Sequence, residues 1–230
     1  MRVWTIAAAA LALSACTAPE EKADTPAETA IAVNAPSGAY TLDPHHTTIT
    51  VRAQHFGLAY YTLRLNTVSG TLNFNAEDPA ASTVEASVAT TSLDTPYTGD
   101  RDFDAELQNS QWLDSATHPT ATFRSTAVER TGPNTARVTG DLTIRGVTHP
   151  ITLDVAYRGS HAQHPMGMAV SLIGFSARGT FERSQYGLNV LQPTSGSDGV
   201  ANEVELLIEA EFTRTVAGDT PTSTTREPVN

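Results

Sequence analysis

Cysteine is almost missing from this chain: one residue, Cys16, stands among 230, so no disulfide can form within it. Basic residues are scarce too, with 14 Lys+Arg against 25 Asp+Glu and a formal charge of −11. Protein affinity for nucleic acid rests on phosphate contacts, so this balance excludes nucleic acid as a natural partner. It equally disfavours docking of the domain body onto anionic headgroups. No apolar run reaches the roughly 20 residues of a membrane-spanning helix, and no repeat with a period of roughly 20 to 50 residues is visible. The Gly-x-Ser-x-Gly elbow of serine hydrolases is absent. The only glycine-rich candidate, Thr194 to Gly199, reads as an inter-strand loop and not as a phosphate cradle. Carboxylates are common but fall mostly on outward strand positions, so the chain is read as a non-enzyme.

What is present begins with a targeting pattern. Arg2 precedes an apolar stretch from Ile6 to Leu13, closed by Ser14, Ala15 and Cys16. A short apolar run after one basic residue, ended by small residues, reads as a secretory signal. Leu13-Ser14-Ala15-Cys16 resembles a bacterial lipobox, so residues 1–15 are expected to be a lipoprotein signal peptide and Cys16 the acylated first residue of the mature chain. Several acyl chains on one residue give a stable anchor. The expected location is the periplasmic side of the cell envelope, and the lack of Asp after Cys16 resembles sorting to the outer membrane. Residues 16–38, rich in Ala, Pro, Thr and Glu, bury too little to offset ordering entropy and are expected to form a disordered tether. Residues 216–230 share that character and read as a flexible tail.

Between these ends, residues 39–215 have the length of one domain. Period-two alternation dominates, the signature of strands with one buried face. Ile49 and Val51 share a parity. Leu63 and Leu65 are out of step with Val68, Leu72 and Phe74, which predicts a bend near Asn66 and Thr67. Val84 and Val88, the short run of Ala121, Phe123 and Ser125, then Leu142 and Ile144, continue the pattern. Leu153 and Val155 follow a Gly146 turn, then Phe175 and Phe181, then Leu206 and Ile208. Every strand has a single apolar face. The expectation is all-β: an eight-stranded antiparallel lipocalin-like barrel with one or two short helices. One helix is placed at Asp102 to Asn109, with Asp102 as N-cap.

Six ordered motifs resemble the YceI-like family over nearly all of residues 40 to 213. They start with Tyr40-Thr41-Leu42-Asp43 followed by His46, the His55-Phe56-Gly57 turn, and Thr91-Ser92-Leu93-Asp94-Thr95. Trp112-Leu113-Asp114 with His118-Pro119 through Thr126 comes next, then Gly140-Asp141-Leu142-Thr143-Ile144-Arg145-Gly146-Val147-Thr148-His149-Pro150, the most specific match. Gly174-Phe175-Ser176-Ala177 with Arg183 and Tyr186-Gly187 leads to the last strand at Glu203-Val204. Two stretches depart from the pattern: Leu63-Arg64-Leu65 after the first turn, and Phe103-Asp104-Ala105-Glu106 where the family has Arg-Asp-x-His. The resemblance implies a barrel with a long apolar cavity holding a polyisoprenoid or quinone-like lipid, and for some relatives an association with membrane cytochromes or other redox proteins. Bound lipid, rather than a cofactor, is then the expected cargo.

The candidate lipid-binding residues are those of inward parity: Ile49, Val51, Leu72, Phe74, Val84, Val88, Phe123, Leu142, Ile144, Leu153, Val155, Phe175, Phe181, Leu206 and Ile208. Two His-rich stretches stand beside them. His45, His46 and His55 with Asp43 offer metal-ligand chemistry, but turn and strand-end roles fit them better. His161, His164, Met166 and Met168 carry soft ligands suited to copper(I), within a Pro- and Gly-containing loop. A metal or redox-stress accessory role through that loop, and a ligand-free structural lipoprotein with a packed barrel, are the alternatives. Trp112 and Leu113 are placed at one barrel end, as plug or as lid.

Overall fold

The computed structural model describes residues 28–216. The expected signal peptide, Cys16 and the tail beyond residue 216 lie outside them.

The strands are β1 (Gly38–Leu42), β2 (Thr48–His55), β3 (Ala59–Leu65), β4 (Val68–Phe74), β5 (Thr83–Ala89) and β6 (Leu93–Asp94). They continue with β7 (Thr120–Arg130), β8 (Thr135–Ile144), β9 (Val147–His161), β10 (Val170–Glu182) and β11 (Val200–Thr215). All pairings are antiparallel, and the ring β1-β4-β5-β7-β8-β9-β10-β11 closes on itself through β1 and β11. The remaining segments complete broken strands. β11 pairs with β2 from Val200 to Glu209 and with β1 at Phe212 and Thr213, so β1 and β2 lie in line along one neighbour. β4 pairs with β1 and β3 with β2, which puts β3 and β4 in line as well. β5 and β6 then follow β4 and β3. The result is an eight-strand up-and-down meander, closed into a barrel without an edge over most of its length.

The breaks are built by side chains. At the expected bend between Leu65 and Val68, the Asn66 amide donates to the Ser92 carbonyl at 3.0 Å and the Thr67 amide to Ser92 Oγ at 2.9 Å. Ser92 belongs to a one-turn 3-10 segment, Thr90–Ser92, that separates β5 from β6. Two neighbouring strands therefore bend at the same height, each satisfying the other's orphaned backbone groups. β7 is longer than its short sequence run suggests. Its register shifts between Ser125 and Ala127, a bulge that reverses side-chain parity and hides the second half of the strand from an alternation count.

The helix α1 (Phe103–Gln108) forms where expected, with the Asp102 carboxylate accepting the Ala105 amide at 2.9 Å. Asp104 fastens it to the end of β6 by accepting from the Thr95 hydroxyl at 2.6 Å and the Thr95 amide at 3.0 Å. The β8–β9 connection is the two-residue turn Arg145-Gly146, both at positive φ (51° and 73°), the geometry that matches strand twist in tight hairpins.

The expectation of a disordered stretch reaching residue 38 does not hold for residues 28–37. The Asn34 and Ala35 amides both donate to Ser160 Oγ, at 2.8 and 2.9 Å, and Ala35 is buried. This segment is made mainly of small residues, with Ile31 and Val33 its only larger apolar ones, and its order comes from hydrogen bonds to barrel side chains, which composition does not reveal.

Candidate functional site: an apolar cavity along the barrel axis

Inward side chains from every strand of the ring enclose a cavity of about 530 Å³, within the range of about 300–1,000 Å³ usual for small-molecule sites. All the inward-parity residues named from the sequence line it: Ile49, Val51, Leu72, Phe74, Val84, Val88, Phe123, Leu142, Ile144, Leu153, Val155, Phe175, Phe181, Leu206 and Ile208. The alternation was sufficient because each strand exposes one face to water and one to this space.

The walls are arranged in two apolar clusters. One holds Tyr40, Leu42, Ile49, Val68, Leu72, Phe74, Ile173 and Phe212. The other gathers Leu142, Ile144, Ile151, Leu153, Tyr186 and Leu188, with Leu113 packed against it. The aromatic rings meet edge-on. Phe175 and Phe212 are 6.3 Å apart at 76°, and Phe181 meets Tyr186 at 5.5 Å and 89°, the favoured geometry for paired quadrupoles. Phe123 pairs with Leu142 across the strands and lays its ring over the diagonal neighbour Gly140, where a Cβ would lie 2.4 Å from Phe123 Cζ.

The second cluster closes one end. Tyr186 and Leu188 fold over it from the short 3-10 helix Arg183–Tyr186 and the residues that follow. Arg183 anchors this plug although it is buried. Its guanidinium donates to the carbonyls of Leu188 (2.6 Å), Val190 (2.8 Å), Val200 (2.8 Å) and Ala201 (2.9 Å). Burial lowers the pKa of Arg183 and raises that of Tyr186. Leu113 packs against this cluster from the segment that follows α1.

The opposite end is bordered by the β4–β5 and β7–β8 loops and is more polar, with Glu77, Arg130, Asn134 and Thr135 among the lining residues. Ala30, Ile31 and Val33 of the N-terminal segment also face the cavity there. The sequence reading missed them, since nothing in an Ala- and Pro-rich stretch announces a docked strap. It also missed Val128, which the β7 bulge turns inward, and Leu42, Val68, Ala210 and Phe212, which extend alternations already recognised.

The His-rich stretches lie apart from this cavity lining. His46 Nδ1 pairs with Asp43 Oδ2 at 2.9 Å and lies 3.6 Å from Glu211 Oε2 on β11. His45 meets Asp43 through its backbone amide, and His55 sits at the far end of β2, its ring edge-on to Phe56 at 4.4 Å. The three histidines are thus not brought together as one ligand set. In the β9–β10 loop, His164 Nδ1 accepts the Met166 amide at 3.0 Å, while the Met166 and Met168 side chains are exposed.

Comparison with known proteins matches residues 40–212 to the YceI-like domain. Protein YceI of Escherichia coli O6:H1 is 34% identical over 167 residues, 72% of this chain and 81% of that protein. A UPF0312 protein of Pseudomonas savastanoi pv. phaseolicola is 33% identical over 158 residues, 68% of this chain and 79% of the relative. Among solved structures, Burkholderia cenocepacia BcnA superposes with a TM-score of 0.60 at 23% identity, covering 76% of this chain and 99% of BcnA. A Saccharophagus degradans domain described as polyisoprenoid binding and implicated in plant cell wall breakdown gives a TM-score of 0.54 at 13% identity. That match covers 75% of this chain and 97% of the domain.

Proposed function

Because this chain belongs to the YceI-like family, we propose that it binds a long apolar lipid, polyisoprenoid or quinone-like, in the barrel cavity. The observation that carries this reading is the cavity itself: apolar side chains from every wall face space that they leave unfilled. The polyisoprenoid-binding description of the Saccharophagus degradans domain, which has the same fold, supports the class of ligand. The protein acts as a carrier or sequesterer, not as a catalyst. A lipidated Cys16 holds it on the periplasmic side of the envelope, close to the membrane where such lipids reside.

Affinity in this reading comes from burial of the chain, about 0.8 kcal/mol for each CH₂ removed from water, with the polar end of the ligand left near the Arg130 and Asn134 rim. Titration with polyprenols of increasing length tests it. Affinity should climb with each isoprene unit and level off once the cavity is full. An affinity independent of chain length, or no binding at any length, contradicts the proposal.

A further inference from the structure

The N-terminal strap is tied down at both ends. Asn134, in the β7–β8 loop, is buried, and its side-chain amide is fully committed to this segment. Its Oδ1 accepts the Ile31 amide at 2.6 Å, and its Nδ2 donates to the Thr29 carbonyl at 2.8 Å and to Glu28 Oε1 at 3.0 Å. Further along, Tyr157 donates its hydroxyl to the Ala32 carbonyl at 3.0 Å, and its oxygen is hydrogen-bonded to Ser160 Oγ at 2.6 Å. Ser160 Oγ in turn accepts the Asn34 and Ala35 amides. The chain then leaves β9 and reaches Gly38 at the start of β1, which is separated from β9 around the ring by β10 and β11.

The strap therefore spans the polar end of the cavity, while the Tyr186–Leu188 plug closes the other. Its grip is unequal to that of a strand: the backbone bonds go to side chains, and Ile31 and Val33 stay more than two-fifths exposed while also facing the cavity. Elements held by few apolar contacts and by solvent-adjacent hydrogen bonds open at lower free energy than the barrel wall.

We propose that residues 28–35 are a gate over the cavity mouth, latched by Asn134 and Ser160, which sets the rate at which the lipid exchanges. This rests on the lipid-binding reading for the identity of the cargo, but not for the gating itself. Asn134 is a positioning residue. Its own backbone carbonyl still accepts the Tyr157 amide at 2.8 Å when the side chain is removed, so Asn134→Ala releases the strap while the loop keeps its anchor.

The test uses the full secreted chain with Cys16→Ala, to remove the native thiol, and Val84→Cys, to place one thiol on the cavity wall. Alkylation by monobromobimane then reports access to the cavity without any lipid. Asn134→Ala and, separately, Ser160→Ala should each raise the alkylation rate at least tenfold with unchanged circular dichroism. Both variants should speed uptake and release of cis-parinaric acid, and Ser160→Ala, which lies outside the cavity lining, should do so with the Kd moved less than threefold. Equal alkylation rates, within twofold, in whichever latch variant folds would overturn the gate. Strap-dependent alkylation without parinaric acid or polyprenol binding would keep the gate and remove the lipid reading.

Discussion

Arg183 donates from Nη1 to the Leu188 carbonyl at 2.6 Å, across the turn that plugs one end of the barrel. No carboxylate pairs with this guanidinium among the described residues; four carbonyls receive it instead. A charged donor shared among buried acceptors fixes the path of Leu188 to Ala201, and with it the floor of the cavity. Replacing it leaves acceptors unsatisfied, at about 1–3 kcal/mol for a buried group. Arg183→Met should lower stability by about 3 kcal/mol, read as a reduced urea midpoint at unchanged m-value. A midpoint equal to wild type would remove Arg183 from the plug's support.

The cavity can be filled from its own wall. Ala86 lines it on β5, opposite Gly70 on β4 and Phe123 on β7. Ala86→Trp places an indole in space that is otherwise open, so the overpacking cost of about 1–3 kcal/mol should be largely avoided. The expected outcome is a folded barrel with near-wild-type thermal stability and at least tenfold weaker polyprenol binding, measured by titration. Undiminished binding in the folded variant would place the ligand elsewhere.

Gly140 illustrates how the wall admits Phe123. Alanine at this position requires both Phe123 and the neighbouring strand to shift, because the added Cβ meets the Phe123 ring and the Arg124 carbonyl at 2.5 Å. Gly140→Ala should cost about 1–3 kcal/mol through these two clashes, measured by chemical denaturation, and combining it with Phe123→Leu should recover only the part owed to the ring. Full additivity of the two losses would show that they do not interact.

His46 gives the fold a pH-dependent element at the junction of β1 and β2. Its pKa is raised by the hydrogen bond to Asp43, then by the charges of Asp43 and Glu211. For Asp43, burial pushes upward, but the bonds from the His46 ring and the His45 amide prevail and the pKa is lowered. A histidine raised in the folded state stabilises below its unfolded value, near 6.5, and that contribution fades as pH rises through the folded value. His46→Gln should therefore lose stability relative to wild type most at pH 5.5 to 6, with the gap narrowing toward about pH 8. A gap that widens with rising pH, in parallel urea titrations, would contradict this.

Much of this architecture was legible in the sequence because a closed barrel imposes one simple rule on every strand. The alternations at Ile49 and Val51, or Leu142 and Ile144, stated which face was wet, and the change of phase after Leu65 located the bend. The helix cap at Asp102 was equally local. What escaped reading depends on distant partners. The bulge at Thr126 turns Val128 inward against its apparent phase. The order of residues 28–37 is supplied by Asn134, Tyr157 and Ser160, more than 100 positions away in most of these contacts. Glu211 joins Asp43 and His46 only because β11 lies beside the β1–β2 junction. That a cavity stays open behind the inward residues is a matter of side-chain volume and strand tilt, which parity alone does not state.

The most direct test of the account is native mass spectrometry of the secreted Cys16→Ala chain, which carries no acyl anchor, purified without detergent, followed by solvent extraction and identification of whatever is released. A single extractable long-chain apolar lipid at one per protein, lost in Ala86→Trp, is the predicted result. A bare protein mass that stays bare after incubation with polyprenols, quinones and fatty acids would contradict it.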